Sequence, residues 1–525
     1  MPSGTNLELE TAPASRWEFK PSSALVLGIL ALGVTSFLIL SRDFANFGVE
    51  SDLLGTFKAE AEKLQQGLAL SVKFHLPFYP ALLAAIEPLV GGWFEAGLII
   101  TWFSTLVALT TSYRLARDLL GWQTGLGVIT ALATSGLFLV NSGVASTDML
   151  FLALYQSTCL IGFLAFRDRR QVYWLFTGLL IAICYLTRTN GIVLLLFFAV
   201  PFLLRDNLST KALASLTMAT GILIGFAPWA TYALVTGSPL VPTHSHLTLA
   251  TTFYDKSFGL HSGDFIRFAG QQFGNIWEVL AYDPARIPVA YAENFVELIV
   301  VCLPKLVSIP ALMLLMPGLF IVIFRPVCRF VPFLTVLTVA HVLLSLFADF
   351  NPRYFLFLLP FLALGLAKTL EITAEHLDQI NLRRFFYCIV VLSFLASFTI
   401  SIESAWRTSR TGEKELAAVI PIVNSIAADE DLILFARKPN LRYHAQVDSK
   451  SMPIVNTLEE LKEKLLAHSG ANPLYLYFGS MEAKYRPELA YLRYGDLQVP
   501  WLTPIASGAQ GGGWVLYAVQ DLASD

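Results

Sequence analysis

The sequence predicts an α-helical polytopic membrane protein of about eleven transmembrane helices, with interfacial helices on its outer face and a small C-terminal extracytoplasmic α/β domain. Three observations predict it. Hydrophobic residues make up 55% of the 525 and charged residues only 14%, with a mean hydropathy of +0.60, whereas a soluble protein is about one-quarter charged. Lys and Arg collect in alternate connectors between the apolar runs, as the positive-inside tendency requires. After Glu403 the long apolar runs stop, and amphipathic stretches alternate with short apolar ones.

Residues 1–23 carry Glu8, Glu10 and Glu18 ahead of the apolar run from Ala24 to Leu40, and no small-residue cleavage site follows. They read as a short cytoplasmic tail before a retained first helix. Apolar runs long enough to count as spans stand at 24–41, 94–113, 123–141, 149–166, 172–187, 191–204, 212–235, 300–324, 330–348, 354–370 and 385–402. The run 191–204 is short for a crossing and is expected to pair with its predecessor through Thr187 to Gly191. One set of connectors holds Arg114 and Arg117, then Arg167, Arg169 and Arg170, then Arg205 and Lys211, Arg325 and Arg329, and Arg383 and Arg384. The alternate short connectors hold only Arg188 and Arg353. The bias puts the N-terminus inside. The first loop (42–93), the connector at Asp148, the long segment 236–299 and the α/β domain (404–525) then lie outside a membrane domain of 24–403, integral to the plasma (inner) membrane.

The same composition excludes several classes. A net charge of −3, with no basic patch interleaved with aromatics, argues against nucleic acid. The five cysteines, Cys159, Cys184, Cys302, Cys328 and Cys388, lie in or beside apolar runs without a CxxC, so disulfides and zinc-thiolate sites are not expected. His244 and His246 alternate in the long outside segment, with His261 and Asp264 further on. They leave room for a divalent metal ion without assigning one, since no ligand pair at helical spacing accompanies them. The last part, with DLILFA, PLYLYFG and GGGWVLYAV as strands between amphipathic helices, has no GxGxxG, P-loop or GxSxG.

Chemistry concentrates at the outer face. The stretch from Arg42 to Pro80 is a polar island carrying Asp43, Glu50, Asp52, Glu60 and Glu62 beside Lys58, Lys63, Lys73 and His75. That is more ionisable side chains than a connector needs, and a polar loop against a membrane wall suits chemistry on a membrane-borne substrate. Asp52, after Ser51, also fits a helix N-cap, as does Asp148 after Ser146 and Thr147. Arg188 lies on the side where cations are disfavoured, and Arg353 stands at a helix mouth with Asp349 as a plain salt-bridge partner.

The run Asp52, Phe57, Ala61, Leu64, Gly67, followed by His75-Leu76-Pro77-Phe78-Tyr79-Pro80, resembles the first outside loop of the C-type glycosyltransferases. These are multi-spanning enzymes that use polyprenyl-phosphate sugars, the protein O-mannosyltransferases and aminoarabinose transferases among them. Phe57 replaces the family's usual Tyr and Leu76 a Pro. Ser146 to Asp148, Leu186 to Gly191, Asn351 to Pro360 and the C-terminal α/β domain extend the resemblance over nearly the whole chain. It implies transfer of a sugar from a polyprenyl-phosphate donor to a lipid, glycan or protein acceptor, with Asp52 as general base and Asp148 as a second catalytic carboxylate that orients sugar or acceptor or shares the proton-handling. His75, Tyr79, Arg188, Arg353 and Tyr354 are the implied substrate-binding residues. The rival class is a transporter or flippase of a lipid-linked or anionic substrate. This sequence lacks the internal repeat and paired broken helices that secondary transporters show.

Overall fold

The computed structural model describes residues 52–520, save 259–261, 308, 348–350, 378–379, 411–414, 430, 438–439, 446, 454, 456, 469–471 and 496–498. The expected tail and first span fall outside the described residues, as do Asp43, Glu50, His261 and Asp349 and the side chain of Asp264.

The first loop is not a loose connector. Leu53–Phe57 forms a π-helical turn that runs into the helix Lys58–Gln65. Leu53, Phe57 and Ala61 recur every fourth residue and so share one face, which packs on Tyr79, Leu83 and Ala96. Glu60 accepts from the Ser71 amide at 2.8 Å and from Lys63 Nζ at 2.9 Å, while Lys63 also donates to the Ser71 hydroxyl at 2.7 Å. These bonds close the loop on itself. A further apolar helix, Phe78–Val90, follows and ends at Gly91, whose φ of +77° no β-carbon-bearing residue adopts cheaply.

Among the described residues six helices are long and apolar enough to cross a membrane: Trp93–Leu120, Thr147–Asp168, Leu208–Thr236, Arg286–Leu306, Pro352–Glu375 and Cys388–Arg407. Trp122–Thr134 and Gly136–Ser142 make a seventh if their 70° bend lies within one span. The expected eleven are therefore not all present as full-length helices. Ser135 is extended (φ −75°, ψ 120°) and breaks the run 123–141. Arg188 is extended too (φ −149°, ψ 138°), so the expected tight pair becomes the helix Gln171–Thr187 followed by the 3₁₀ stretch Thr189–Ala199. The segment 236–299 holds the short helices Ser245–Phe258, Ser262–Gln272 and Ile276–Tyr282. Its last helix instead continues to Leu306. The acidic Glu293 and Glu297 interrupt that apolar run in the sequence.

Helices Gln171–Thr187 and Leu208–Thr236 pack backbone to backbone. A β-carbon on Gly178 would stand 1.9 Å from the Met218 carbonyl oxygen, and one on Gly221 2.1 Å from that of Leu175. Small residues at such a crossing replace the hydrophobic driving force that lipid cannot supply.

The C-terminal part folds as a five-stranded sheet of β1 (Ile433–Ala436), β2 (Asp448–Ser451), β3 (Leu474–Phe478), β4 (Leu502–Gly508) and β5 (Trp514–Val519), in the order β2-β1-β3-β5-β4. β1 is parallel to β2 and β3, and β5 is antiparallel to β3 and β4. Alternation splits its core: Phe435, Leu476 and Phe478 bury on one face, and Leu434, Tyr475 and Tyr477 on the other. Lys58 of the first loop sets its ammonium 5.1 Å from the ring centre of Tyr443, so the sheet region seats on that loop.

Candidate functional site

Four charged side chains distant in sequence meet beside the start of the first loop. Asp148 is in the first turn of helix Thr147–Asp168, and Ser146 is the residue that caps it, accepting from the Asp148 amide at 3.3 Å. The Ser146 hydroxyl donates back to Asp148 Oδ2 at 3.0 Å. Asp148 is thus held, not spent as a cap. It is 3% exposed, and its Oδ1 accepts from Arg188 Nη1. Arg188 reaches it because the chain is extended there, where helix Gln171–Thr187 has just ended. The Arg188 guanidinium lies 4.5 Å from the ring centre of Tyr354 and 5.8 Å from that of Phe151, an arrangement that stabilises a cation in a place short of water.

Arg353 opens the 3₁₀ helix Pro352–Leu358, where Asn351 Oδ1 accepts from its amide at 3.2 Å. Its side chain joins both acids: Nη2 is 3.4 Å from Asp52 Oδ2 and Nε is 3.8 Å from Asp148 Oδ2. Nη2 also lies 3.4 Å from the Tyr354 hydroxyl. Nε, although buried, makes no hydrogen bond. A guanidinium carries five donors in a fixed fork, so Arg353 keeps unused capacity for an anion between the two carboxylates. The ion pair expected with Asp349 lies outside the described residues. The pairing seen is with Asp52, 301 positions away.

Asp52 itself is helical (φ −71°, ψ −36°) and makes no side-chain cap, so the capping role open to it in the sequence is not the one it takes. Its carboxylate is 49% exposed, the accessible acid of the cluster. His75 comes next to it through Phe57, whose ring centre is 4.6 Å from the imidazole and 4.9 Å from Tyr79. Burial lowers the His75 pKa below the ordinary 6.5; Asp52 opposes that, and Arg188 and Arg353 add to it. His75 is therefore a neutral group at physiological pH, a donor and acceptor without charge. Tyr79 is fully buried among Leu53, Leu83 and Ala145.

The sequence reading thus finds Asp52, Asp148, His75, Arg188, Arg353 and Tyr354 brought together, with Tyr79 linked to His75 through the Phe57 ring. It missed Ser146 as a proton-donating partner of Asp148 and Phe151 as a face for Arg188. An aromatic inside an apolar run gives no such signal. Glu60 and Glu62 are engaged within the loop, by Lys63 and by Lys58 at 3.5 Å. His244 and His246 stand apart. His244 Nδ1 is 2.8 Å from the Thr243 hydroxyl and His246 Nε2 3.1 Å from the Phe273 carbonyl. Among the described residues no group of three or more His, Cys, Asp or Glu side chains is arranged to hold a metal ion.

Residues 75–232, which include His75, Asp148 and Arg188, match the family model described as dolichyl-phosphate-mannose-protein mannosyltransferase. No curated protein sequence matches the chain. Among solved structures, ArnT from Cupriavidus metallidurans bound to undecaprenyl phosphate is similar over 95% of this chain and 98% of its own, at 13% identity and a TM-score of 0.55. The oligosaccharyltransferase AglB from Archaeoglobus fulgidus, in complex with an inhibitory peptide and a dolichol-phosphate, is similar over 95% of this chain and 74% of its own, at 10% identity and a TM-score of 0.58. An oligosaccharyltransferase from the same organism in the apo form gives 13% identity and a TM-score of 0.57 over 88% of this chain and 70% of its own. At such identities the likeness is one of fold. The chain thus carries a family match over residues 75–232 and, over most of its length, the fold of ArnT and of the archaeal oligosaccharyltransferase.

Proposed function

We propose that the protein transfers a sugar from a polyprenyl-phosphate-linked donor to a hydroxyl or amine of a lipid, glycan or protein acceptor on the outer face of the membrane. The observation that carries this reading is the Arg353 guanidinium set between an accessible carboxylate, Asp52, and a buried one, Asp148, with Arg188 alongside.

The chemistry follows from those positions. The acceptor oxygen or nitrogen attacks the anomeric carbon, the bond from that carbon to the phosphate oxygen breaks, and its electron pair leaves on the polyprenyl phosphate. The acceptor's proton goes to Asp52, the general base, which needs to lie within hydrogen-bond reach of it. The leaving phosphate gains charge beside low-dielectric lipid, so preorganised cations stabilise the transition state more than the ground state. Arg353 and Arg188 supply them, Arg353 through its unused donors. An arriving phosphate competes with Asp52 for Arg353, which loosens the long Asp52 contact and frees the base as the donor binds. Asp148 keeps both guanidiniums in place. His75 and Tyr354 offer a neutral imidazole and a hydroxyl to the sugar or the phosphate.

The reading carries a topology with it: about eleven spans, counting the broken and short apolar helices, with the N-terminus in the cytoplasm and residues 404–525 outside. Purified protein in nanodiscs, given a panel of radiolabelled polyprenyl-phosphate sugars and acceptors, is the test. Release of polyprenyl phosphate coupled to acceptor labelling supports the proposal. Movement of intact donor across the bilayer without release would instead favour a flippase.

A further inference from the structure

Asp52 immediately precedes the π-helical turn Leu53–Phe57, and the amide of Lys58 closes that turn by donating to the Leu53 carbonyl. Turns with this wider bonding are rare and collect at functional sites. Here both ends are held. At the start, the Asp52 carboxylate meets Arg353 Nη2 at 3.4 Å. At the finish, the Lys58 ammonium lies 5.1 Å from the ring centre of Tyr443 and 3.5 Å from Glu62 Oε1.

Tyr443 comes from the sheet region, on the short helix Asn440–Ala445. Burial raises its phenol above the ordinary pKa of 10.0, and the nearby carboxylates of Glu95 and Glu87 raise it further. Glu87 is itself tied to the helix Lys58–Gln65, accepting from Gln65 Nε2 at 3.3 Å. The surroundings of Tyr443 are thus made by the first loop and by the start of the helix Trp93–Leu120.

Geometry couples the two ends. One residue of an α-helix turns the chain by about 100°, so relaxation of the π turn to α-helical bonding would swing Asp52 and Lys58 relative to one another. The Lys58 stem could follow a small shift but not a change of helix face, and the two contacts could not both be kept. The pair of Asp52 with Arg353 is long, and its carboxylate is 49% exposed, so it holds the turn only weakly by itself. The cation–π contact at the other end is a second support.

We propose that Tyr443 is a positioning residue for Asp52: by holding Lys58, the sheet region selects the π-helical register of the first loop and keeps the carboxylate beside Arg353. The effect is a shift of population between two registers. The proposal rests on the reading of Asp52 as the general base.

The test uses purified protein in nanodiscs and the radiolabelled polyprenyl-phosphate sugar that the wild type turns over best in the panel above, with undecaprenyl phosphate binding measured alongside. Tyr443→Leu and Lys58→Met each remove the contact and leave the Lys58 amide in place. Either should lower kcat about twofold to fivefold, the scale of one partly exposed cation–π contact, with lipid phosphate affinity unchanged. The two together should cost no more than one alone. Tyr443→Phe, which keeps the ring, should retain the wild-type rate. In Asp52→Asn no base remains to be placed, so adding Tyr443→Leu there should leave the residual rate as it is. Unchanged kcat in either single variant overturns the proposal. A loss in Tyr443→Phe equal to that in Tyr443→Leu does so too, since it would assign the effect to the hydroxyl. So does an equal loss from Tyr443→Leu with and without Asp52, which would be packing alone. Wild-type turnover by Asp52→Asn itself would instead overturn the base reading, and failure of the wild type on every donor would overturn sugar transfer. Both failures are recognised without any change at Tyr443 or Lys58.

Discussion

Arg353 is the residue on which the site's electrostatics turn, because among the described residues it alone reaches both acids. Replacing it by Lys keeps the charge and loses the planar fork. An ammonium cannot span Asp52 and Asp148 or grip a phosphate through two donors. Arg353→Lys should therefore weaken the donor by about tenfold, in line with the loss of a charge-assisted hydrogen bond. The check is a donor titration, and an affinity equal to the wild type would return Arg353 to a purely structural role. Asp148 makes a different demand. It is buried and paired, so Asp148→Asn leaves Arg188 uncompensated and should cost about 3 kcal/mol of stability, read as a lowered denaturation midpoint. The residues legible in the sequence were those at polar–apolar boundaries, where a charge stands out against its neighbours. Which charge meets which was not legible. The obvious partner of Arg353 was four positions away, and the one observed comes from the far end of the chain.

At the scale of elements, the legible features were those with a strong period or a strong break. The three strands with continuous apolar sequence were found as β1, β3 and β5. The missed ones, β2 and β4, are the sheet's two edges, where one side is solvated and the apolar signal fades. Asp448 to Ser451 reads Asp-Ser-Lys-Ser, which carries no strand pattern at all. The bend at Ser135 and the 3₁₀ stretch after Arg188 were invisible because tertiary packing, not local propensity, decides how an apolar run is broken. The backbone contact at Gly178 gives a prediction at this scale. Gly178→Leu would drive a side chain into the Met218 carbonyl and should cost 3 kcal/mol or more, roughly the upper range for overpacking, again read as a denaturation midpoint. A β-carbon tolerated there without loss would mean that the two helices can part.

The sheet region also makes stability depend on pH. Burial pushes His444 down to about 4 from an ordinary 6.5, and burial lowers His75 as well. Each is neutral in the fold while the unfolded chain takes up a proton below 6.5. Between the two values the unfolded state binds more protons, so stability rises with pH through that window and is lost on acidification. The thermal midpoint of the wild type should fall from pH 6.5 towards 4, and His444→Gln should flatten part of that slope. An equal slope in the variant would assign the effect elsewhere.

For the whole molecule, composition and the alternation of Lys and Arg were enough to read a polytopic membrane protein, and the fold shared with ArnT and AglB agrees. A reporter fused after Arg170 should lie in the cytoplasm and one at Gly412 outside, because Asp52 and the sheet region meet through Lys58 and Tyr443 and must share a face. The central claim is that Asp52 takes the acceptor's proton, and the most direct measurement is the turnover of Asp52→Asn beside its binding of undecaprenyl phosphate. Asn keeps the shape and cannot act as the base. The account predicts that this variant folds, binds the lipid phosphate at least as well as the wild type, and loses turnover by about 10²-fold or more. Asp43→Asn and Glu50→Gln should lose far less. Sugar transfer by Asp52→Asn at close to the wild-type rate would contradict the account.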